Sequence, residues 1–432
     1  MRRAVVGVCC LFVFALVGCT DGELQSDDAV VISYDDGGNG TNSDGTSSSD
    51  ASSSSDTPVR RDSSNVRYDT GVGKQDTQTG KMDTHNNLCG GRGCGSNAVC
   101  RNNACQCKSG YTGDPYAGCH KKMQQGCGGG NKCGKNALCV NAKCKCVAGF
   151  KPDGSGGCNR TTVGDPAKRT KSQVCQRWSK VSRGGASTMW KTQPTGDCDP
   201  GELSGEVIWN ALNATSGFRW LVGLDPVTYK DNYLEITQEA ATALAAEGKR
   251  IQHKIPMSYK CYSQKAHQGA SSSNLSQGTR TAASTVYQYI QDRGNPTLGH
   301  RMWIFNPSMG ATGFGHRGRY GAMYAFDGSG PDNQADTFYP SPGYFPKSAL
   351  LGPWSYSTKS ASVSNPSVTV EEVKSGKKLS VSGIRSLSGG YRRPGGVGWK
   401  VSGAQTGVEY KITISGVGGG KKSYTTTLVS CP

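Results

Sequence analysis

The sequence predicts an exported, multidomain protein. Its parts are a disordered stalk, two small disulfide-rich modules, an α+β domain and a small C-terminal β-sandwich. Three observations carry this. Residues 20–85 are rich in Ser, Asp, Gly and Thr with few large apolar side chains. Twelve cysteines between Cys89 and Cys158 repeat one spacing twice. After residue 161 the apolar period is that of helices, and after about residue 353 it becomes that of strands. A length of 432 residues accommodates two or three domains. With 34% hydrophobic and 19% charged residues, 61 Gly and 19 Cys, the chain is not a multi-span membrane protein, a coiled coil or disordered throughout. So many cysteines fit a reducing compartment poorly. The formal charge of +17 is uneven, with an acidic stalk separating the N-terminus from basic modules.

Arg2 and Arg3 precede an apolar run from Ala4 to Val17, the pattern of an export signal too short to span a bilayer. The step Leu16-Val17-Gly18-Cys19 resembles a bacterial lipobox. That resemblance implies a lipoprotein signal peptide at 1–18 and acylation of Cys19 as the first mature residue. The alternative is an ordinary cleaved signal that contains a cysteine. A lipobox implies a location in the cell envelope, lipid-anchored at the outer membrane or cell surface, with the membrane as a partner. Residues 19–85 then form a tether, unable to bury enough surface to order itself. Its seven-residue repeat (Arg60-Arg61-Asp62, Arg67-Tyr68-Asp69, Lys74-Gln75-Asp76, Lys81-Met82-Asp83) lacks the apolar seam of a coiled coil. As a flexible coil it reaches about 45 Å.

In residues 86–122 and 123–160 the cysteines run C-x4-C-x5-C-x4-C-x-C-x11-C and C-x5-C-x5-C-x4-C-x-C-x11-C. Spacing alone leaves fifteen connectivities per module. Both modules share an Asn-Ala-(Val/Leu)-Cys step, at Asn97 and Asn136, and a Gly-aromatic pair, Gly110-Tyr111 and Gly149-Phe150. They resemble epidermal-growth-factor-like (EGF-like) modules. The resemblance implies the pairings Cys89–Cys100, Cys94–Cys105, Cys107–Cys119, Cys127–Cys139, Cys133–Cys144 and Cys146–Cys158. Export and the absence of C-x-x-C pairs disfavour a zinc cluster. No calcium site is assigned, because Asn86-Asn87-Leu88 and Gln124-Gln125-Gly126 lack the acids that precede calcium-binding modules. Spacer is preferred to contact surface.

Residues 161–352 read as the α+β domain. Asp199-Pro200-Gly201-Glu202 has the form of a helix start, with Leu203, Val207, Ala211 and Leu212 on one face. Asn232 and Glu235 suggest a second capping box, before an alanine-rich helix to about Glu247. Ala283, Val286, Tyr287 and Ile290 mark a third helix, ended by Pro296 and nearby glycines. The helix ending Lys249-Arg250-Ile251-Gln252-His253, then Ser272-Ser273-Asn274-Leu275, the third helix, Leu298-Gly299-His300-Arg301 and Gly313-Phe314-Gly315 follow the order of a CAP domain. This is the superfamily of cysteine-rich secretory proteins, antigen 5 and pathogenesis-related proteins, and the likeness covers roughly 200–330. It implies an α-β-α sandwich with a cleft, in which two histidines and two acids can hold a divalent metal. His253 and His300 match the histidines. Ser273 stands where the first acid is expected, and Tyr289 occupies the second acid's place, with Asp292 one turn on. Two imidazoles and one doubtful carboxylate predict weak zinc binding at most, and no resident cofactor. The two histidines are expected to face one another across a polar groove near Ser273 and Asp292.

The chain has no H-E-x-x-H, G-x-S-x-G, Walker or dinucleotide motif. His267 and His316 read as exposed loop residues, and Trp178, Trp190, Trp209 and Trp220 as core. The remaining cysteines, Cys175, Cys198, Cys261 and Cys431, allow three connectivities. Cys198–Cys261 within the domain and Cys175–Cys431 joining the ends of the globular region are preferred. Residues 353–432 alternate like a small β-sandwich, with Val368-Thr369-Val370, Leu379-Ser380-Val381, Val397–Val401, Tyr410–Ile414 and Tyr424–Val429 as strands. Lys377-Lys378, Arg392-Arg393 and Lys421-Lys422 make it basic. Export disfavours nucleic acid and leaves anionic envelope lipid or glycan, or an extracellular protein, as partners. The resemblance implies a binding protein for a lipid, glycan or protein. The alternative is a cleft-based peptidase or other hydrolase using His253 and His300. Lack of the family acids weighs against an enzyme.

Overall fold

The computed structural model describes residues 89–432, except 90–92, 96–97, 102, 109–110, 117, 122–126, 128–131, 182–183 and 332–335. The signal, Cys19 and the tether lie outside the described residues. Each disulfide-rich module is a pair of short antiparallel hairpins. Ala98–Arg101 pairs with Ala104–Cys107 and Tyr111–Asp114 with Gly118–Lys121; then Ala137–Val140 pairs with Lys143–Cys146 and Phe150–Pro152 with Cys158–Arg160. Asn141 and Ala142 both have positive φ, as a two-residue turn between right-twisted strands requires. The bridges are Cys89–Cys100, Cys94–Cys105, Cys107–Cys119, Cys127–Cys139, Cys133–Cys144 and Cys146–Cys158. Cys175–Cys431 and Cys198–Cys261 complete the set among the described residues.

Six helices follow: α1 (Lys171–Trp178), α2 (Gly205–Leu221), α3 (Asp231–Glu247), α4 (Gln264–Ser271), α5 (Ala282–Gln291) and α6 (Gly299–Ile304). The helix start expected at Asp199 is in fact a turn. The Asp199 carboxylate accepts from the Thr195 and Gly201 amides, and Glu202-Leu203 pairs as a strand with Trp190–Thr192. Ser204 caps α2 instead. Nor does Asn232 cap α3, which begins at Asp231 with no side-chain cap and ends at left-handed Gly248. The stretch 249–253 is therefore loop, not helix. Thr281 caps α5 through a capping box, and Asp292, in left-handed backbone, ends it before Pro296.

A three-stranded antiparallel sheet lies between helices. Its strands are β1 (Ser273–Gln277), β2 (Phe314–Arg317) and β3 (Tyr320–Tyr324), ordered β1-β3-β2. A methyl at Gly315 would overlap the α3 backbone at Thr237, whereas one at Gly321 would meet Thr285 of α5. Gly315 and Gly321 point to opposite faces, so α3 covers one face and α5 the other.

The C-terminal region is β-rich. Eight strands form two four-stranded sheets: β4 (Thr337–Tyr339), β5 (Gly343–Pro346), β6 (Trp354–Thr358), β7 (Val363–Glu372), β8 (Ser380–Leu387), β9 (Gly395–Ser402), β10 (Glu409–Val417) and β11 (Gly420–Val429). Their orders are β4-β6-β9-β8 and β5-β11-β10-β7, with β5 parallel to β11. The sheets thus begin at Thr337, earlier than the boundary expected at 353, because β4 and β5 pair only with later strands.

One apolar core runs from the second module through the helices to these sheets; Leu138, Phe150, Phe218, Phe345 and Trp399 all belong to it. The second module is accordingly no loose spacer. Trp209 on α2 donates to the Cys146 carbonyl at 2.9 Å beneath the Lys145 ammonium, and Tyr229 donates to the Ala137 carbonyl. No helix among the described residues is long and apolar enough to cross a membrane.

Candidate functional site

The site centres on His300 in α6, which is held from several sides. Its Nδ1 lies 2.7 Å from Asp292 Oδ1, and the Arg301 amide donates to Asp292 Oδ2 at 3.2 Å. An ionised carboxylate only accepts, so Nδ1 carries the proton and Nε2 is the acceptor nitrogen. Tyr289 stacks on the imidazole, with ring centroids 5.4 Å apart and planes at 25°. Asn274 donates from Nδ2 to the His300 carbonyl at 3.0 Å, and the Tyr289 hydroxyl donates to the Asn274 carbonyl at 2.9 Å. The left-handed turn at Asp292 is what aims the carboxylate. A residue continuing the helix would point elsewhere.

His253 enters from the loop after α3. Its Nδ1 lies 2.9 Å from the Ala270 carbonyl at the end of α4, which fixes the same tautomer. Burial lowers its pKa below the ordinary value; proximity to His300 lowers it further, and the Ala270 bond opposes both. The imidazole is neutral at neutral pH. The two imidazoles are thus within electrostatic reach of one another.

The remaining three residues depart from ligand roles. Asp292 orients His300 and is 4% exposed, and Tyr289 is a buried stacking partner, 1% exposed. Ser273 begins β1, and its buried hydroxyl makes no hydrogen bond. Among the described residues, the groups of three His, Cys, Asp or Glu ligand atoms close enough to share a metal consist of cysteines in the modules, and those are in disulfides. His253, His300 and Asp292 do not form such a group. The residues do not fit a three-ligand zinc site, and no chemistry is routed through one.

Two other histidines need correcting. His267 lies on α4 with Nδ1 2.9 Å from the Ile255 carbonyl, and His316 lies in β2, fully buried. Neither is an exposed loop residue. Burial pushes the His316 pKa down to about 4, against a smaller opposing effect of the Thr279 backbone. Sequence reading missed Asn274 and Arg301 as supports of His300. The signal was present: both lie inside the Ser273-Asn274 and His300-Arg301 steps. Arg301 is fully buried and donates to the carbonyls of Ile290, Leu351 and Pro353 at 2.6, 2.8 and 2.5 Å. It ties the site helix to the C-terminal region.

No curated protein and no solved structure matches the chain. A family model does match, that of the Cysteine-rich secretory protein family, CAP, over residues 212–325. The matched stretch contains His253, Ser273, Asn274, Tyr289, Asp292 and His300 together, and by that match this chain carries a CAP domain.

Proposed function

We propose that the chain is a lipid-anchored protein of a bacterial cell envelope that presents its CAP domain outside the cell for binding. The ligand class is a lipid, glycan or protein. The anchor is an acylated Cys19, residues 19–85 are the tether, and the modules are EGF-like by their cysteine order and bridges. The two four-stranded C-terminal sheets support reading this region as a β-sandwich. Binding rather than hydrolysis is supported by one observation above others. The Ser273 hydroxyl has no hydrogen bond, so neither imidazole is placed to take its proton. A nucleophile without a base in reach is not activated. The Asp292–His300 pair is the feature that favours a hydrolase, since a carboxylate on Nδ1 orients a general base. It serves equally to hold an imidazole as a fixed hydrogen-bond acceptor. Anchoring is tested by detergent-phase partition and surface proteolysis of whole cells. The native chain should partition into detergent and be cleaved from outside, and Cys19→Ala should lose both properties. Retention of the Cys19→Ala chain in the membrane would refute the anchor.

A further inference from the structure

The loop between β8 and β9 holds two consecutive non-glycine residues in left-handed backbone, Tyr391 at φ 53° and Arg392 at φ 54°. That conformation is disfavoured for residues with a Cβ, so the surroundings must impose it. Two backbone hydrogen bonds between Gly390 and Arg393, 2.9 and 2.7 Å, close the loop. Tyr391 packs on the small cluster of Leu298, Met302 and Leu387. Its hydroxyl lies against Gly299, where a methyl group would come within 2.9 Å, and the Arg392 guanidinium lies over Gly328. A loop of the C-terminal region is thereby laid across the start of α6, next to His300.

This placement gathers three aromatic rings. Trp303, three residues beyond His300 on α6, has its ring centroid 4.4 Å from Phe326 and 5.0 Å from Tyr391, at interplanar angles of 41° and 77°. Phe326 is 49% exposed, and Arg392, over Gly328 two residues further on, is exposed as well. None of the ion pairs among the described residues involves Arg392. Among the described residues Phe326 is the one exposed large apolar side chain drawn into a ring cluster near the site, Tyr116, Met257, Tyr344 and Val373 being exposed elsewhere. Phe326 is exposed and Trp303 and Tyr391 are half-buried, so the angled rings make an aromatic corner with partly exposed faces rather than a long apolar groove. Such faces carry negative charge density and accept the polarised C–H bonds of a sugar ring, while a guanidinium pairs bidentately with a carboxylate or phosphate.

We propose that Trp303, Phe326, Tyr391 and Arg392 form a binding site for an anionic polysaccharide. A pyranose face stacks on the rings, and its carboxylate or phosphate lies on Arg392. The net charge of +17 favours a polyanion at long range. This proposal rests on the binding function inferred above and names its ligand class. Glycan packing falls to residues of both the CAP domain and the C-terminal region, so the site exists only when the two are joined.

The test is calorimetric titration of the full chain carrying Cys19→Ala with oligogalacturonate, with neutral dextran and phosphatidylglycerol vesicles in parallel. Oligogalacturonate should bind and weaken with added salt, and dextran should bind at least about tenfold less tightly. Trp303→Ala and Arg392→Ala should each weaken oligogalacturonate about tenfold. Arg392 is exposed, so that variant should keep the native melting temperature and report on binding even if Trp303→Ala unfolds. Equal affinity of the Arg392→Ala chain, absence of oligogalacturonate binding, or binding to vesicles alone would each overturn the polysaccharide site. Because only the anchor is altered in this chain, such failure is separate from a failure of the Cys19 fractionation.

Discussion

Removing the Cys175–Cys431 bridge should cost the fold several kcal/mol although both cysteines are only partly buried. The perturbation is Cys175→Ala with Cys431→Ala. The bridge spans a sequence separation of 256, against 63 for Cys198–Cys261 and 11 or 12 within the modules. In the chain-entropy model a loop of that length contributes about 5.5 kcal/mol. The Cys198–Cys261 crosslink already shortens the path, but a logarithmic dependence trims only about 0.3 kcal/mol. Both cysteines are half-exposed, so the alanines lose little buried surface. The expected loss is therefore about 5 kcal/mol, with native-state strain and denatured-state structure able to lower it to about 3. Urea unfolding at oxidising pH, followed by tryptophan fluorescence and circular dichroism together, reads this. The continuous core from Leu138 to Trp399 predicts coincident transitions for both probes, in the native chain and in the variant. A loss under about 1 kcal/mol would refute the entropic account. A C-terminal transition separating from the rest in the native chain would refute the single core.

Three further outcomes are expected. Arg301→Met should destabilise by about 3 kcal/mol or more, because it strands the buried carbonyls of Ile290, Leu351 and Pro353; a melt showing less than about 1 kcal/mol would mean water replaces the guanidinium. His316 takes up a proton near pH 6.5 in the unfolded chain but only near about 4 when folded, so acid favours unfolding across that window. Stability should fall by about 3 kcal/mol between pH 6.5 and 4, and His316→Leu should flatten that slope; an unchanged slope would place the titration elsewhere. Ser273→Glu adds a carboxylate at the position where the CAP resemblance implies one, and should tighten zinc binding in calorimetry at neutral pH, an effect that His253→Ala with His300→Ala should abolish. Tight zinc binding by the unaltered chain would overturn the ligand arithmetic of two imidazoles.

What the residues disclosed in advance was mostly local or periodic. Cysteine order needs no tertiary information, and the helical period of Ala283, Val286, Tyr287 and Ile290 is that of α5. The errors lie where one residue type serves two geometries. Asp199-Pro200-Gly201 suits a helix cap and a tight turn equally, and only the pairing of Glu202-Leu203 with Trp190–Thr192 selects the turn. Gly315-His316-Arg317-Gly318 looks like a loop by composition. Yet Phe314 and His316 alternate onto one face of a strand, and the glycine between them is there because α3 backbone leaves no room for a Cβ. Asp292 reads as one helical turn beyond Tyr289, but it is the residue that ends α5, and its left-handed backbone is not legible in an Asp-Arg-Gly step. The role of Arg301 was hidden for another reason. Its carbonyl partners at Leu351 and Pro353 lie some fifty residues away and carry no side-chain signature.

The same long-range links say why the CAP domain should not be treated as an isolated cassette. The family match ends at residue 325, one residue before Phe326. Beyond it lie two of the carbonyls that receive Arg301, the Tyr391 ring against Trp303, and the β4 and β5 strands whose Tyr339 and Phe345 share the main core. Arg301 is the residue after His300, and its amide also fixes Asp292. A shift of its guanidinium therefore moves the segment that orients the imidazole. A fully buried guanidinium also has its pKa pulled down by desolvation, and the carbonyls around it compensate the buried charge. Cutting the chain after residue 325 would take two of the three carbonyls away and uncover Leu298 and Met302, which pack on Leu387. The geometry at His300 is thus a property of the joined domain and sheets, held in place by a charge that neither part could bury alone.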